Sequence, residues 1–236
     1  MKKALIIFAK RPEAGKVKTR LIPALSAGEA AALYNCMLTD TIAKVESLKE
    51  VDRFLFITGG TESSAFFHEF FPGMQIFQQA GNDLGERMEA AFAAVFSMGY
   101  QAAAIIGTDS PDLPPTFIED AYRILEEQRV GAVFGPSEDG GYYLLAMRRL
   151  HKDLFADINW STGQVLRQSL ENAAKMGLSV AQISVWYDVD TIEDLARPEL
   201  RDSNNCAPLT RQFLNRIFSG GTKNFEPPSN PLIPNP

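Results

Sequence analysis

Residues 102–115 read AAAIIGTDSPDLPP, and this stretch decides the fold class of the chain. Its first five residues are small or β-branched and apolar, which is typical of a strand buried on both faces of a sheet. The apolar run stops at Gly107, and Asp109 follows two residues later. In open α/β sheets, ligands bind outside the carboxyl ends of the strands. The stretch therefore predicts an α/β sheet with Asp109 at its ligand-binding edge.

On both sides of this stretch, patterns typical of strands alternate with patterns typical of helices. Strands are predicted at residues 4–9, 51–58, 74–79, 102–106, 132–135, 142–147 and 178–189. Helices are predicted at residues 26–48, 62–71, 84–98 and 115–128, after a capping box at 161–164, and at 208–218. The strand at 142–147 is expected to be antiparallel, because little chain is left for a crossover helix. This alternation of strands and helices predicts a Rossmann-like, mostly parallel sheet with helices on both faces.

The composition indicates one large α/β domain. The chain has 236 residues, 45% of them hydrophobic, which is enough for a substantial core. We assign residues 1–197 to this domain and residues 198–236 to a C-terminal extension, with one helix and a tail from 219 onward rich in Gly, Pro, Asn and Ser. Such a tail cannot bury a core, and we predict that it is flexible or depends on a partner.

Charge and cysteine content exclude several classes of protein. A net charge of −6 argues against binding to nucleic acid or to a membrane surface, since both polyanions would repel the chain. The two cysteines, Cys36 and Cys206, indicate neither a disulfide framework nor a zinc site. The apolar run that ends before Lys10 is too short for a signal peptide or a membrane span. We therefore expect a cytoplasmic protein without a membrane span.

A basic loop follows the first predicted strand. Residues 10–21 read KRPEAGKVKTRL and carry five cationic side chains, those of Lys10, Arg11, Lys16, Lys18 and Arg20. These side chains could converge on phosphate oxygens, with backbone N–H groups of the turn at Gly15 assisting them. The alternative is a solvated cationic loop without a ligand. The loop is not a Walker A motif, because it lacks the upstream glycine and the Ser or Thr after the lysine.

Two acidic segments could form a metal site. Asp109 ends the strand at 102–106, and residues 186–191, which read WYDVDT, add Asp188 and Asp190. If the sheet brings the two segments together, they form an oxygen-rich site for a hard divalent cation. The alternative for Asp109 and Asp190 is a capping role in a turn or helix. For Asp112 we favour a role at the start of the next helix.

Two further segments could contact a ligand. Residues 138–142 read EDGGY, where Gly140 and Gly141 would let a ligand approach the backbone closely. The same residues could also form a hairpin turn. Residues 82–87 read NDLGER, where Arg87 and the amides of a helix N-terminus could contact a nucleotide. A plain helix start is the alternative there.

Taken together, these motifs resemble the DUF2064 proteins. The resemblance rests on residues 10–21, 107–114, 139–143, 158–162 and 188–195, and it covers roughly residues 1–197 in the right order. The DUF2064 proteins are a branch of the nucleotide-diphospho-sugar transferase superfamily with the GT-A fold, and they include glycosyltransferases linked to arsenosugar biosynthesis. The present chain departs from related patterns, with DSPD at 109–112 where many glycosyltransferases have D-x-D.

The resemblance implies roles for individual residues. Lys18 and Arg20 would bind nucleotide phosphates, and Lys16 would share this role. Asp109 and Asp190 would hold Mg²⁺ or Mn²⁺ against the diphosphate, which makes Asp109 a candidate catalytic residue as well as a metal ligand.

We therefore expect a metal-dependent glycosyltransferase that uses a nucleotide sugar and a small-molecule acceptor. Asp139 is the candidate general base. The residues expected around the acceptor are Gly140, Gly141, Tyr142, Trp160, Ser161 and Thr162.

Two alternatives stay open: a nucleotidyltransferase that joins an NTP to a phosphorylated small molecule, and a nucleotide-binding module without catalysis. A second basic cluster beside the acceptor would favour nucleotidyl transfer, but residues 138–162 offer only Arg148, Arg149 and Lys152. The sequence does not indicate an oligomeric state.

Overall fold

A seven-stranded sheet forms the centre of the molecule. The computed structural model of the chain describes residues 1–22 and 24–218. The strands lie in the order β3-β2-β1-β4-β6-β5-β7. Their bounds are β1 Lys3–Ala9, β2 Val51–Ile57, β3 Gln75–Gln78, β4 Ala102–Ile106, β5 Ala132–Pro136, β6 Tyr142–Met147 and β7 Val180–Gln182.

The sheet is mostly parallel, as the sequence predicts. The neighbouring strands β3, β2, β1 and β4 all run parallel, and β7 is parallel to β5. Strand β6 runs antiparallel to both β4 and β5. A tight turn explains this reversal, since the amide of Ser137 donates to the carbonyl of Gly141 over 3.0 Å. The prediction of an antiparallel strand at 142–147 is confirmed.

Helices cover both faces of the sheet. Their bounds are α1 Ala27–Glu46, α2 Gly60–Phe70, α3 Leu84–Ser97, α4 Pro115–Glu127, α5 Val165–Lys175, α6 Pro198–Arg201 and α7 Pro208–Phe218. The predicted capping box at the start of α1 is present: Ser26 and Glu29 each accept a hydrogen bond from the other's backbone amide. The last helix has the predicted bounds, and the predicted flexible tail at 219–236 lies outside the described residues.

The alternation of side chains along the strands produces two apolar layers. In β1, Leu5 and Ile7 pack into one cluster with α1, α2 and α4, whereas Ala4 and Ile6 pack into the other with α3 and α5. All five residues of β4 are buried. The prediction of a central strand buried on both faces is therefore confirmed. In residues 1–22 and 24–218, no helix is long and apolar enough to cross a membrane.

Two predictions of local structure are wrong. The last strand is not a continuous run over 178–189: β7 ends at Gln182, and only an isolated bridge joins Trp186 to Ser137. The segment after β7 is held by single main-chain hydrogen bonds, such as the one from the amide of Trp186 to the carbonyl of Pro136, and by the side chain of Asp188. The capping box predicted at Ser161 is absent, because Ser161 has a left-handed backbone with φ 62° and α5 begins only at Val165.

A third apolar cluster joins segments that are far apart in sequence. Leu21 of the basic loop, Val189 of the acidic segment and Leu214 of α7 all pack there against Leu33 and Met37 of α1. The α7 helix is fixed further by Asp40, whose carboxylate accepts hydrogen bonds from the amides of residues 209 and 210. This cluster places the basic loop next to the second acidic segment.

Candidate functional site

A cleft of about 910 Å³ opens at the edge of the sheet where β1 and β4 end. The chain leaves β1 into the basic loop and leaves β4 into the loop with Asp109, so both loops meet at this edge. The turn between β5 and β6 and the loop before α5 form the opposite wall. Of the sequence-predicted site residues, these line the cleft: Lys10, Lys16, Lys18, Arg20, Arg87, Asp109, Asp139, Gly141, Tyr142, Trp160, Ser161, Thr162 and Asp190.

The ammonium of Lys18 lies between the two acidic segments. It donates hydrogen bonds to Asp109 and to Asp190, the latter over 2.8 Å. The lysine side chain is only 3% exposed, whereas the two carboxylates are 48% and 39% exposed. Residues separated by up to 172 positions thus form one charged cluster. The condition that the sequence analysis sets for an oxygen-rich site, that the two acidic segments come together, is therefore met.

Main-chain contacts hold this cluster together. The amide of Val189 donates to the carbonyl of Asp109 over 2.8 Å, which ties the two acidic loops to each other. The backbone of Lys18 is left-handed, with φ 46°, and its carbonyl accepts from the amide of Leu21 over 2.9 Å. Since Leu21 and Val189 are both fully buried, the charged side chains beside them have a rigid base.

The charges in the cluster shift one another's pKa. Burial alone would lower the pKa of Lys18, but the two neighbouring carboxylates outweigh it and raise this pKa above its ordinary value. Partial removal from water likewise opposes ionisation of Asp109, and the charge of Lys18 overcomes this effect, so the pKa of Asp109 is lowered. Both groups are therefore charged at neutral pH.

Other cations of the basic loop surround the cleft. Arg20 lies 3.8 Å from Asp190, and 71% of its side chain is exposed. Lys16 forms an ion pair of 2.6 Å with Glu13. Lys10 is exposed, and its amide donates to the hydroxyl of Tyr34, which also bonds to Thr108 over 2.9 Å. The buried Tyr34 thus links the basic loop to the loop that carries Asp109.

Two predicted glycines do not line the cleft. Gly15 forms the exposed turn of the basic loop, with φ 78°. Gly140 has φ 88°, and a Cβ there would lie 2.3 Å from the carbonyl oxygen of Gly163. Gly140 therefore permits the close packing of the two loops that form the opposite wall.

The structure gives a separate position to Asp188, which the sequence analysis includes in the second acidic segment without naming it as a metal ligand. Its carboxylate accepts hydrogen bonds from Ser110 over 2.8 Å and from Ser137 over 2.7 Å. Burial, together with the charge of Asp109, raises the pKa of Asp188 to about 6. The sequence contains a pattern that could have indicated a role for Asp188. In an extended D-V-D segment, the side chains of Asp188 and Asp190 point the same way.

Asp112 does not start the next helix, so that prediction is wrong. It is 3% exposed and accepts a hydrogen bond from the hydroxyl of Tyr187, while α4 begins at Pro115. Beneath the same loop, the buried ammonium of Lys44 donates to the carbonyls of Ser110 and Pro111 over 2.6 and 3.1 Å. The loop at residues 109–112 is thus held in place by buried polar groups on its inner side.

The opposite wall combines apolar and small polar groups. Trp160 packs against the start of α3, where a Cβ on Gly85 would lie 2.5 Å from the indole ring. Tyr142 lines the cleft next to Met88, 3.9 Å from its sulfur. Asp139 is exposed, and one of its oxygens accepts from the amide of Gly141 over 2.8 Å. The other oxygen is available to a ligand.

Three remaining residues have clear local contacts. Thr162 donates to the carbonyl of Asn159 over 2.7 Å and so closes the turn in which Ser161 is left-handed. Arg87 donates to the carbonyl of Gly81 over 3.0 Å, which holds its guanidinium near the N-terminus of α3. The helix itself is capped by Asp83, which confirms a helix start, while the contact of Arg87 with a nucleotide stays a prediction.

The donor groups of the cluster suit a hard divalent cation. Asp109 and Asp190 offer carboxylate oxygens close enough to contact one ammonium. Within the described ranges, no group of three or more His, Cys, Asp or Glu side chains is placed to hold a metal ion. Mg²⁺ is usually bound by one or two carboxylates, with substrate phosphates and water completing its shell. A carboxylate pair beside a basic loop fits that pattern.

The fold is similar to the folds of several solved structures. The protein is similar to one from Desulfovibrio desulfuricans G20, described as a "putative nucleotide-diphospho-sugar transferase", with 31% identity and a TM-score of 0.82 over 92% of this chain and 96% of that chain. CMP:2-keto-3-deoxy-manno-octonic acid synthetase complexed with CTP gives 12% identity and a TM-score of 0.52 over 84% and 97%. A cytidylyltransferase from Leptospira borgpetersenii serovar Hardjo-bovis gives 12% and 0.54 over 96% and 99%. The last two comparisons show a common fold.

One family model also matches the chain. The family DUF2064, described as "Uncharacterized protein conserved in bacteria", matches residues 41–162. This range contains Asp109, Asp139 and Trp160. No curated protein matches the chain.

Proposed function

The chain belongs to the DUF2064 family, and from this premise we propose that it is a metal-dependent glycosyltransferase. Its donor is a nucleotide-activated sugar, and its acceptor is a small molecule. The fold it shares with nucleotide-diphospho-sugar transferases and cytidylyltransferases supports a nucleotide substrate. The fold alone does not choose a reaction, so the choice rests on the cleft.

The observation that carries the proposal is the cluster of Lys18, Asp109 and Asp190 at the carboxyl edge of the sheet. In this class of sheet, that edge is where phosphorylated ligands bind. Cationic side chains beside a pair of carboxylates suit an anionic ligand that brings a metal ion. A nucleoside diphosphate group has that chemistry.

The cationic residues and the carboxylates of the cluster would have different roles in binding the donor. Lys18 and Arg20, with Lys10, Lys16 and Arg87 around them, would bind the diphosphate and offset the negative charge that grows on it as it leaves. Asp109 and Asp190 would hold Mg²⁺ or Mn²⁺. Such an ion, when bound, supplies further charge neutralisation of the diphosphate.

The opposite wall would hold the acceptor. In glycosyl transfer, the acceptor's hydroxyl oxygen bonds to the anomeric carbon of the sugar, and the bond from that carbon to the phosphate oxygen breaks. The nucleoside diphosphate leaves with the bonding electrons, and the hydroxyl proton passes to a base. Asp139 supplies the carboxylate for this role, and Trp160 and Tyr142 supply flat surfaces for the acceptor.

The charges of the acceptor wall favour sugar transfer over nucleotidyl transfer. A phosphorylated acceptor would need basic residues there, but none of the lining residues between 139 and 165 is basic. Arg148, Arg149 and Lys152 do not line the cleft. An acceptor with hydroxyl groups and an apolar body suits such a wall better than a phosphate ester.

A thermal-shift screen tests the proposal. Purified protein is heated with each common nucleotide sugar and each NTP, with and without Mg²⁺ or Mn²⁺, because ligands that bind the native state raise its apparent stability. We expect a metal-dependent increase in Tm with one nucleotide sugar. An increase with a free NTP alone would indicate nucleotidyl transfer. No increase with any nucleotide would overturn the assignment of the cleft.

Turnover separates an enzyme from a binding module. The donor identified by the screen is incubated with the protein and a panel of small hydroxyl compounds, and release of the nucleoside diphosphate is measured. We expect release above that of a sample with Asp139→Asn. Donor binding without release by either protein would favour the non-catalytic alternative.

A further inference from the structure

The ammonium of Lys18 contacts the same two carboxylates that we propose as metal ligands. Its side chain is 3% exposed, and it donates to one oxygen of Asp109 and one oxygen of Asp190. A divalent cation held by both carboxylates lies about 2 Å from each ligand oxygen. The ion and the ammonium would then face the same oxygens at very short range.

Two cations cannot share these oxygens without a large electrostatic cost. Like charges repel strongly at such distances, and the effect is stronger where the surroundings exclude water, as they do around the buried Lys18 side chain. The lysine has a flexible side chain of four carbons, so its charged end can move, whereas the two short aspartate side chains project from backbone segments that are tied together by the hydrogen bond from Val189 to Asp109.

We infer that Lys18 and the divalent cation compete for Asp109 and Asp190, so that metal binding displaces the Lys18 ammonium into the cleft. This inference rests on the proposed metal site. In the cleft, the displaced ammonium meets the position where the basic loop would hold phosphate. Binding of the metal would then prepare the cation that binds the donor, and the two binding events would favour each other. Such coupling acts equally in both directions.

The competition makes an unusual prediction for a Lys18 variant. Removing a residue from a binding site normally weakens binding, but removing this lysine should strengthen the binding of metal alone. Lys18→Met keeps a long, unbranched side chain and removes the charge. We expect its affinity for Mn²⁺, measured without nucleotide by electron paramagnetic resonance, to be at least about tenfold higher than that of the wild-type protein, or about 1.4 kcal/mol.

A matched control removes a charge from the same loop. Lys16 is also cationic, but it pairs with Glu13 over 2.6 Å and its side chain is 72% exposed. Lys16→Met should change the Mn²⁺ affinity by less than about twofold, because surface charges are screened by solvent and salt. Lys18→Arg keeps a charge that can contact both carboxylates, so it should retain the weaker Mn²⁺ affinity of the wild-type protein.

A second measurement needs no variant. In the wild-type protein, the buried amine of Lys18 should react slowly with an acetylating reagent, and peptide mass spectrometry can follow that reaction. Saturating Mg²⁺ should increase the acetylation rate of Lys18 several-fold relative to that of Lys16. Should Lys18→Met fail to fold, this measurement decides the question by itself.

The outcomes separate this inference from the proposed function. Two results would overturn the competition without contradicting the proposed metal site. One is equal Mn²⁺ affinity of the wild-type protein and Lys18→Met, and the other is an unchanged acetylation rate of Lys18 in saturating Mg²⁺. No Mn²⁺ binding by either protein would overturn both the competition and the metal site. Nucleotide binding, measured separately by thermal shift, would show whether the rest of the proposed function survives.

Discussion

Among individual residues, Asp109 joins most of the contacts on which the site depends. Its carboxylate contacts Lys18, its carbonyl accepts from Val189, and its negative charge contributes to the raised pKa of Asp188. The side chain is still 48% exposed, so it remains accessible to a ligand. A change at Asp109 should therefore affect binding more than folding.

The variant Asp109→Asn tests this role. We expect it to lose the metal-dependent increase in Tm with a nucleotide sugar, because an amide oxygen carries no charge to attract the cation. Far-ultraviolet circular dichroism should be unchanged. Asp120→Asn is the control, since Asp120 pairs with Arg123 on the surface of α4. Equal metal-dependent shifts in the two variants would remove Asp109 from the site.

Lys44 is a second residue with a testable charge. Burial lowers its pKa to about 8 from an ordinary value of 10.5, despite nearby acidic groups that act in the opposite direction. Between these pH values the unfolded chain keeps the proton and the folded protein does not. The free energy of unfolding should therefore rise with pH from about 8 to 10.5, by at most about 1.4 kcal/mol per pH unit from this group.

Comparison with Lys44→Met isolates this effect. Urea denaturation is measured at several pH values for both proteins in a Cys206→Ala background, because Cys206 lies close enough to influence the pKa of Lys44. The stability of the lysine protein relative to the methionine variant should increase above pH 8. A difference that does not change with pH would contradict the shifted pKa of Lys44.

Among the elements, the start of α3 shapes the acceptor wall. The indole of Trp160 lies directly against Gly85, where a Cβ would meet the ring at 2.5 Å. A glycine within a helix normally costs stability, about 1 kcal/mol relative to alanine. Here the absence of a side chain lets the loop before α5 pack onto the helix and complete the cleft.

Gly85→Ala should therefore reverse the usual effect of this substitution. We expect it to lower the free energy of unfolding by about 1–3 kcal/mol, as overpacking does, and to change the tryptophan fluorescence. Gly28→Ala in α1 is the matched control, because a Cβ there meets nothing within 4 Å. This control should be neutral or stabilising. Similar stabilisation by both substitutions would show that the packing of Trp160 against α3 does not require a glycine at position 85.

For the whole molecule, the third apolar cluster decides whether α7 folds with the domain. The fully buried Leu214 packs with Leu33 and Met37 of α1, although the sequence interpretation assigned residues 198–236 to an extension. Leu21 and Val189 lie in the same cluster, so the last helix also supports the loops that carry the site.

The variant Leu214→Ala tests whether α7 and the rest of the domain unfold as one cooperative unit. Loss of a buried leucine should lower the free energy of unfolding by about 2–5 kcal/mol. The protein should still unfold in one transition, seen alike by fluorescence and circular dichroism. Val185→Ala, at a position 56% exposed, should change stability by less than about 0.5 kcal/mol. Two separate transitions would support an independent C-terminal unit.

Local patterns explain which elements could be predicted. The five-residue run of β4 and the capping box of α1 are complete within a few positions, and both were predicted correctly. The segment 178–189 was predicted as a strand, but only Val180–Gln182 pairs regularly. The chain beyond it is held by single main-chain bonds, such as the one from Val189 to Asp109, and by Ser110 and Ser137 through Asp188, and no local pattern reveals such distant partners.

The sequence by itself determined the α/β class, most of the order of strands and helices along the chain, and the presence of a basic loop and an acidic loop at strand ends, with a second acidic segment later in the chain. These follow from short-range periodicity and from the rule that parallel strands end at one edge of the sheet. Only the tertiary structure decided that Lys18 lies between Asp109 and Asp190 and that Asp188 bonds to the loop that carries Asp109. It also decided that Asp112 and Lys44 are buried under that loop. Contacts between residues up to 172 positions apart depend on how the core packs, and a sequence pattern does not contain that geometry.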